Sequence, residues 1–184
     1  MSDVTHILLQ IESGDSSATE ELLPLVYQQL RNLAAAAMAR EKPGQTIQPT
    51  ILVHEAYLRL VQADESRQWN SRKHFFRAAA EAMRRILIEN ARRKQRQRHG
   101  GGRRRCDVND LATTDRNEKL LALDEALSLF EQRWPDQAML VKLRYFSGMT
   151  IPEAALTIGV SHATAERYWT FARAWLLEHL KSDD

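Results

Sequence analysis

Apolar residues recur every three or four positions along most of the chain, the period of helices with one buried face. Val4 to Ile11 reads as a short helix with Ile7, Leu8 and Ile11 on one side, ended by Gly14-Asp15-Ser16. A second helix is expected from Ser17, whose hydroxyl and Glu20 make a Ser-x-x-Glu capping box. Leu22, Val26, Leu30 and Leu33 give it an apolar stripe, and Pro24 inside the pattern predicts a kink. Lys42-Pro43-Gly44 is a break, and Pro49 or Thr50 opens the next helix. That helix carries two adjacent apolar rows, Leu52/Ala56/Leu60 and Val53/Tyr57/Val61. They exceed what one packing face needs, so most is expected in the core and part is open to a partner.

Ala63 to Asn70 is a polar loop holding Trp69, and Ser71 caps a long helix to about Arg98. Phe75, Ala79, Met83, Ile86 and Asn90 form its stripe, with Phe76, Ala82 and Leu87 beside them. Arg77, Arg84, Arg85, Arg92, Arg93 and Lys94 lie largely off that stripe, so one face packs and another is positive. Gly100-Gly101-Gly102 stops the helix, and residues 100–116, poor in apolar groups, read as a flexible linker. The expected organisation is all-α: a helical domain over 1–99, the linker, and a four-helix domain over 117–184.

The second domain is expected to open near Asp115-Arg116-Asn117-Glu118 and to continue with Leu120, Leu123, Leu127 and Phe130 at helical spacing. Trp134-Pro135-Asp136 separates this from a helix with Met139, Leu140, Leu143 and Phe146 inward, and Ser147-Gly148-Met149 is a turn. Thr150-Ile151-Pro152-Glu153 is a capping box with Pro in the first turn. The short helix that follows ends at Gly159, Val160 plugs the corner, and Ser161 caps a helix from His162 to Leu180. Small Ala155 permits close approach of the two helices. This is the spacing of a helix-turn-helix, whose second helix enters the DNA major groove by its N-terminal turns. Ser161, His162, Ala163, Thr164, Glu166 and Arg167 fall on those turns, with Arg173 two turns on and better placed for the DNA backbone. Arg167 can pair with guanine, Glu166 can accept from cytosine, and the helix N-terminus suits a phosphate. Trp169, Ala172, Leu176 and Leu180 are expected in the core.

Composition narrows the classes. The 184 residues are 43% hydrophobic, with only 7 Gly and 5 Pro, which supports a packed core built from helices rather than a turn-rich sandwich. No apolar run approaches the roughly 20 residues of a membrane-spanning helix, and no basic-then-apolar leader opens the chain. A single cysteine, Cys106, excludes an internal disulfide and a Cys-rich zinc site. The expectation is a soluble, cytoplasmic protein with no cofactor, no metal and no membrane insertion.

Charge changes the picture more. Residues 1–66 hold 4 Lys/Arg against 9 Asp/Glu, residues 67–106 hold 14 against 2, and residues 107–184 hold 8 against 13. A +12 block between two segments of −5 is the electrostatic pattern of a polyanion-binding element. Trp69, His74, Phe75 and Phe76 sit there among Arg67, Arg72 and Lys73. Cations attract the nucleic-acid backbone and aromatic rings stack on unpaired bases, with Phe75 the better core candidate and Trp69 the better exposed one. Two nucleic-acid surfaces on one chain suggest that one site is read as duplex and the other as opened strand.

With these residues in view, the sequence resembles the extracytoplasmic-function class of the bacterial sigma-70 family over nearly its whole length. Residues 50–60, Thr-Ile-Leu-Val-His-Glu-Ala-Tyr-Leu-Arg-Leu, resemble the family's core-polymerase-binding helix, usually Glu-Asp-Leu-Val-Gln-Glu-Val-Phe-Leu-Arg-Leu. Ile51 stands where an acid is usual and His54 where Gln is usual. Residues 69–98 are similar to the segment that melts the promoter and reads the −10 element, and residues 120–180 to the domain that reads the −35 element. The resemblance implies that His54, Glu55, Tyr57, Leu58 and Arg59 grip the clamp helices of the polymerase largest subunit, and that the second domain holds the flap. It implies that the loop Ala63–Lys73, with Trp69, Asn70, Arg72 and Lys73, captures a flipped base, with His74 and Phe76 beside it. Arg84, Arg85, Arg92, Arg93 and Lys94 would hold phosphates. An anti-sigma protein is a further partner the resemblance allows.

Two rival classes are weighed against it. For an enzyme, the chain has no His-Glu-x-x-His, Gly-x-Ser-x-Gly or phosphate-loop pattern, and Cys106 beside Arg103–Arg105 has no identifiable base. The alternative is a stand-alone helix-turn-helix regulator dimerising through its N-terminal domain. The basic helix with Trp69 separates the two, because a dimerisation domain does not need it.

Overall fold

The computed structural model describes residues 6–7, 10, 13, 16–39, 48–62, 72–100 and 108–181. Within them the chain forms seven helices and no strand: α1 (Ser16–Met38), α2 (Pro49–Gln62), α3 (Arg72–Gly100), α4 (Val108–Arg133), α5 (Pro135–Tyr145), α6 (Ile151–Ile158) and α7 (His162–Lys181).

The first unit is α1–α3. Leu22, Val26, Leu30 and Ala34 recur every fourth residue of α1 and are all buried. The helix opens at Ser16, one position before the expected Ser17, and runs through Pro24 on its exposed side, where water can serve the carbonyl left without a donor. Helix α2 lies between α1 and α3. Burial on two flanks explains its double apolar row: Leu52, Val53, Ala56, Tyr57 and Leu60 are all in the core. Phe75, Ala79, Met83 and Ile86 of α3 meet them, as their spacing predicts.

The second unit is α4–α7, four helices ending in the helix-turn-helix. Leu127 and Phe130 of α4, Ala138 and Val141 of α5, and Ala172 and Leu176 of α7 share one apolar cluster with Phe146. Trp169 and Leu180 pack against it half-buried. The opposite side of α5, Leu140 and Leu143, joins Met149, Ala154, Ala155 and Ala165 in the cluster that fills α1–α3. In return, Ile88 of α3 is buried in the α4–α5–α7 cluster. The two units are therefore packed together, α3 lying against α4, α5 and α6.

One element differs from expectation. Residues 108–116 belong to α4, and Asp115 lies inside that helix instead of opening it. The breakers are confined to Gly100–Gly102; residues 108–116 contain neither Gly nor Pro, so nothing local interrupts a helix there. The short helix expected over Val4–Ile11 and the Ser71 cap fall mostly or wholly outside the described residues.

Candidate nucleic-acid interface

The corner between α6 and α7 is held as its residues dictate. Thr150 Oγ1 accepts from the Glu153 N–H at 3.4 Å, and Glu153 Oε2 accepts from the Thr150 N–H at 2.7 Å, closing the capping box. Gly159 ends α6 at φ 81°, in the left-handed region. The Gly159 and Val160 N–H groups both donate to the Ala155 carbonyl, at 2.9 and 3.0 Å. Ser161 Oγ accepts from the Thr164 N–H at 3.1 Å and starts α7. Ala155 and Ala165, one from each helix, are buried in the same apolar cluster.

This corner brings the expected reading residues onto one outer surface. Ser161, His162, Ala163, Glu166, Arg167 and Arg173 are exposed and Thr164 is half-buried, while Ala165, Ala172 and Leu176 point inward. Arg167 Nη2 donates to Thr164 Oγ1 at 3.3 Å, and His162 Nε2 lies 3.3 Å from Glu166 Oε1. Arg167, His162 and Glu166 are exposed, so both contacts can be exchanged for base edges at modest cost. Behind this surface the Arg144 guanidinium lies 4.8 Å from the Trp169 ring centroid and donates to the Met149 carbonyl at 3.1 Å. Arg144 thus ties α5 and the turn to the base of α7. Sequence reading did not single it out, because an arginine in a last helical turn is ordinarily a solvated charge.

The basic helix α3 is less uniform than its sequence. Lys73, His74, Arg85, Arg92 and Arg93 are exposed, and Lys94 is half-buried. Arg93 Nη2 donates to Asn90 Oδ1 at 2.6 Å. Two residues depart from the expected role. Phe76 is buried, in an edge-to-face contact with Phe75 (5.5 Å between centroids), so it is a core residue and not a stacking surface. The Arg84 side chain is only 12% exposed and faces Asp124, which is 9% exposed, with Nε 2.7 Å from Oδ1. It also donates to Glu81 Oε1 at 3.0 Å and to Ser128 Oγ at 3.1 Å. In this arrangement Arg84 holds α4, not a phosphate. Trp69 and Asn70 lie outside the described residues, as does the side chain of Arg72.

A third surface lies on α2. Ile51, His54, Glu55, Leu58 and Arg59 form one exposed stripe with spacings of three and four, and Ile51 and Leu58 are 46% and 47% exposed. Tyr57, expected on that stripe, is on the opposite, buried side, and burial raises its phenol above the ordinary value. Among the described side chains of α2, the apolar groups open to a partner are therefore Ile51 and Leu58, while Leu52, Val53, Ala56, Tyr57 and Leu60 of the two rows are buried. Arg59 pairs with Glu89 of α3 through two hydrogen bonds of 3.1 and 2.6 Å. The hydrogen bond from Arg59 lowers the Glu89 carboxyl below its ordinary value and raises the guanidinium.

Between α3 and the second unit, buried Lys142 of α5 lies 2.7 Å from Glu131 of α4 and 3.0 Å from Glu81 of α3. Burial opposes ionisation of Glu81, but the Lys142 ammonium and the Arg84 and Arg85 guanidiniums outweigh it and hold the carboxyl below its ordinary value. The signal for Lys142 was present in sequence: it falls on the row Ala138, Lys142, Phe146, a charge among core positions. Along the seam, Arg84, Arg85, Ile88, Glu89, Arg92 and Asp124 line a cleft of about 130 Å³. Among the described residues no group of three or more His, Cys, Asp or Glu is arranged to hold a metal ion, and no helix is long and apolar enough to cross a membrane.

The family model described as ECF sigma factor matches residues 1–182. The chain belongs to the ECF sigma factor family. Among curated proteins, none matches. Membership makes this ECF sigma factor a transcription-initiation factor with core RNA polymerase and promoter DNA as its partners, and family members are not enzymes. The all-helical, two-unit fold agrees with that membership.

Proposed function

We propose that this ECF sigma factor directs core polymerase to its promoters by reading the −35 element as duplex and the −10 element as opened strand. The observation that carries the reading is the exposed row Ser161, His162, Ala163, Glu166, Arg167 on a helix whose start and angle are fixed by two caps and a left-handed glycine. In this reading α1–α3 form the polymerase-binding and −10 unit, and α4–α7, from Val108 onward, form the −35 unit. The α2 stripe supplies the contact with the clamp helices of the largest subunit, Ile51 and Leu58 giving apolar area and His54, Glu55 and Arg59 a polar rim. The second unit holds the flap. The segment before α3, with Trp69, takes the flipped base, for which a few kcal/mol of unstacking must be offset by stacking and phosphate contacts, roughly 1–3 kcal/mol per stacked base. The exposed cations Arg85, Arg92 and Arg93 meet phosphates, so binding weakens steeply with salt.

Runoff transcription with purified core polymerase on genomic fragments tests this. Discrete start sites that require the factor are the expected result; transcripts identical with and without it would refute the reading.

A further inference from the structure

The last turn of α5 carries one side chain that reaches both helices of the helix-turn-helix. Arg144 is half-buried. Its Nη1 donates to the Met149 carbonyl at 3.1 Å, and its guanidinium carbon lies 4.8 Å from the centroid of the Trp169 ring. Met149 precedes Thr150, the N-cap of α6, and is itself fixed: its N–H donates to the Leu143 carbonyl at 3.0 Å, and Thr157 Oγ1 lies 3.7 Å from its sulfur. Trp169 belongs to α7 and packs half-buried against both apolar clusters. Helix α7 is therefore held at two levels. The corner fixes its start at Ser161, and Trp169 lies about 12 Å further along the axis, at ~1.5 Å per residue. One fixed point leaves a helix able to tilt, and two define its direction. A displacement of about 1 Å at the second point swings the axis by roughly 5°. Apolar contacts are non-directional and tolerate a shift of that size; a hydrogen bond and a cation seated against a ring do not.

We propose that Arg144 is a positioning residue for promoter reading: by holding Trp169 to the Met149 turn it sets the angle at which α7 enters the major groove, and with it the fit of Arg167 and Glu166 to base edges. The inference rests on the reading of the −35 element above and adds a residue that acts on sequence choice from behind the reading surface. Glu166 and Arg167 lie between Ser161 and Trp169, so a swing about Ser161 carries both with it. Hydrogen bonds to base edges weaken steeply with misalignment and carry the sequence information, whereas phosphate contacts carry none. Loss of the tether is therefore a loss of discrimination. The task suits arginine. Its planar guanidinium presents a face to the ring while an N–H donates sideways to the carbonyl; the single charged nitrogen of lysine serves one partner or the other.

The test uses holoenzyme reconstituted from core polymerase and the full chain, at fixed salt. The probes are a promoter duplex recovered by wild-type holoenzyme from a library randomised in the upstream element, and the same duplex with that element scrambled. The readout is the ratio of the two affinities. A smaller folded fraction or weaker polymerase capture leaves that ratio unchanged, because both duplexes suffer alike. Arg144→Met is expected to lower the ratio roughly fivefold, the low end for one base contact, while binding to the scrambled duplex stays within about twofold. Arg144→Lys is expected to restore part of the ratio, and it carries the test by itself should Arg144→Met fail to fold. Trp169→Leu is expected to lower the ratio by the same factor as Arg144→Met, and the double variant no further than either single one. An unchanged ratio in the Arg144 variants overturns the proposal. So does an equal loss on both duplexes, the mark of a phosphate contact, and so does a double variant whose losses multiply. If wild-type holoenzyme recovers no preferred upstream element, the −35 reading falls and the proposal with it. A preferred element that the Arg144 variants read as well as wild type leaves that reading standing and removes Arg144 from it.

Discussion

Arg59 and Glu89 join α2 to α3 by two hydrogen bonds from one guanidinium to both oxygens of one carboxylate, at 3.1 and 2.6 Å. Both side chains are substantially exposed, so solvent screens the pair. Arg59→Ala is expected to cost no more than about 1 kcal/mol in urea unfolding while weakening polymerase capture. A larger loss of stability with capture unchanged would assign Arg59 to the fold and remove it from the docking stripe.

The same stripe separates two adjacent residues. Leu58 faces solvent and Tyr57 faces the core. Leu58→Asp is expected to abolish polymerase association with the unfolding midpoint nearly unchanged. Tyr57→Ala is expected to destabilise the chain by roughly 3 kcal/mol, the cost of truncating a buried aromatic. Denaturation curves and pull-downs of both variants check the pair, and unfolding by Leu58→Asp would contradict the exposed placement.

Glu81 predicts a pH dependence with a definite sign. Its folded carboxyl titrates below the ordinary value of 4.5. The stability it contributes is fully present above that value and is lost as pH falls through the lowered folded value. Wild-type stability, followed by urea unfolding, is expected to decline on acidification below about pH 5. Glu81→Gln should start lower at neutral pH and decline less, and parallel curves for the two proteins would exclude Glu81 as a source of the slope.

Beyond its own chain neighbours, Gly159 has no heavy atom within 4 Å of the place a Cβ would take, so space does not demand glycine; φ does. Gly159→Ala is expected to cost about 1–2 kcal/mol, the penalty of left-handed backbone for an L residue, and Gly159→Asn less. Thermal unfolding of the two variants distinguishes backbone strain from a packing defect, which would instead grow with side-chain size.

Arg167→Ala is expected to relax sequence choice in the upstream promoter element, by roughly 1–3 kcal/mol of discrimination at one base pair. Selection from randomised upstream elements with holoenzyme checks it. An unchanged preference would reassign the reading face of α7.

The helix-turn-helix was legible because its signals are local. A cap, a left-handed turn and a second cap each depend on residues within four positions of one another, as Thr150–Glu153, Gly159 and Ser161–Thr164 show. The basic character of α3 was legible as well, being a count of charges. Roles within α3 were not. Arg84 and Arg85 are neighbours with the same chemistry, and one is buried against Asp124 while the other is mostly exposed. Phe76 and Tyr57 went to the core for a related reason: two neighbours flank each helix, and periodicity does not count neighbours.

Sequence alone determined the seven helices in outline, the helix-turn-helix corner and the segregation of charge, since hydrophobic period, capping and net charge act over a few residues or over none in particular. Tertiary structure alone decided which apolar residues of α2 remain outside, which cations of α3 are already neutralised, and that α3 lies against α4. Those outcomes depend on partners tens of positions apart, 30 for Arg59 and Glu89 and 40 for Arg84 and Asp124, whose meeting is set by how whole helices pack.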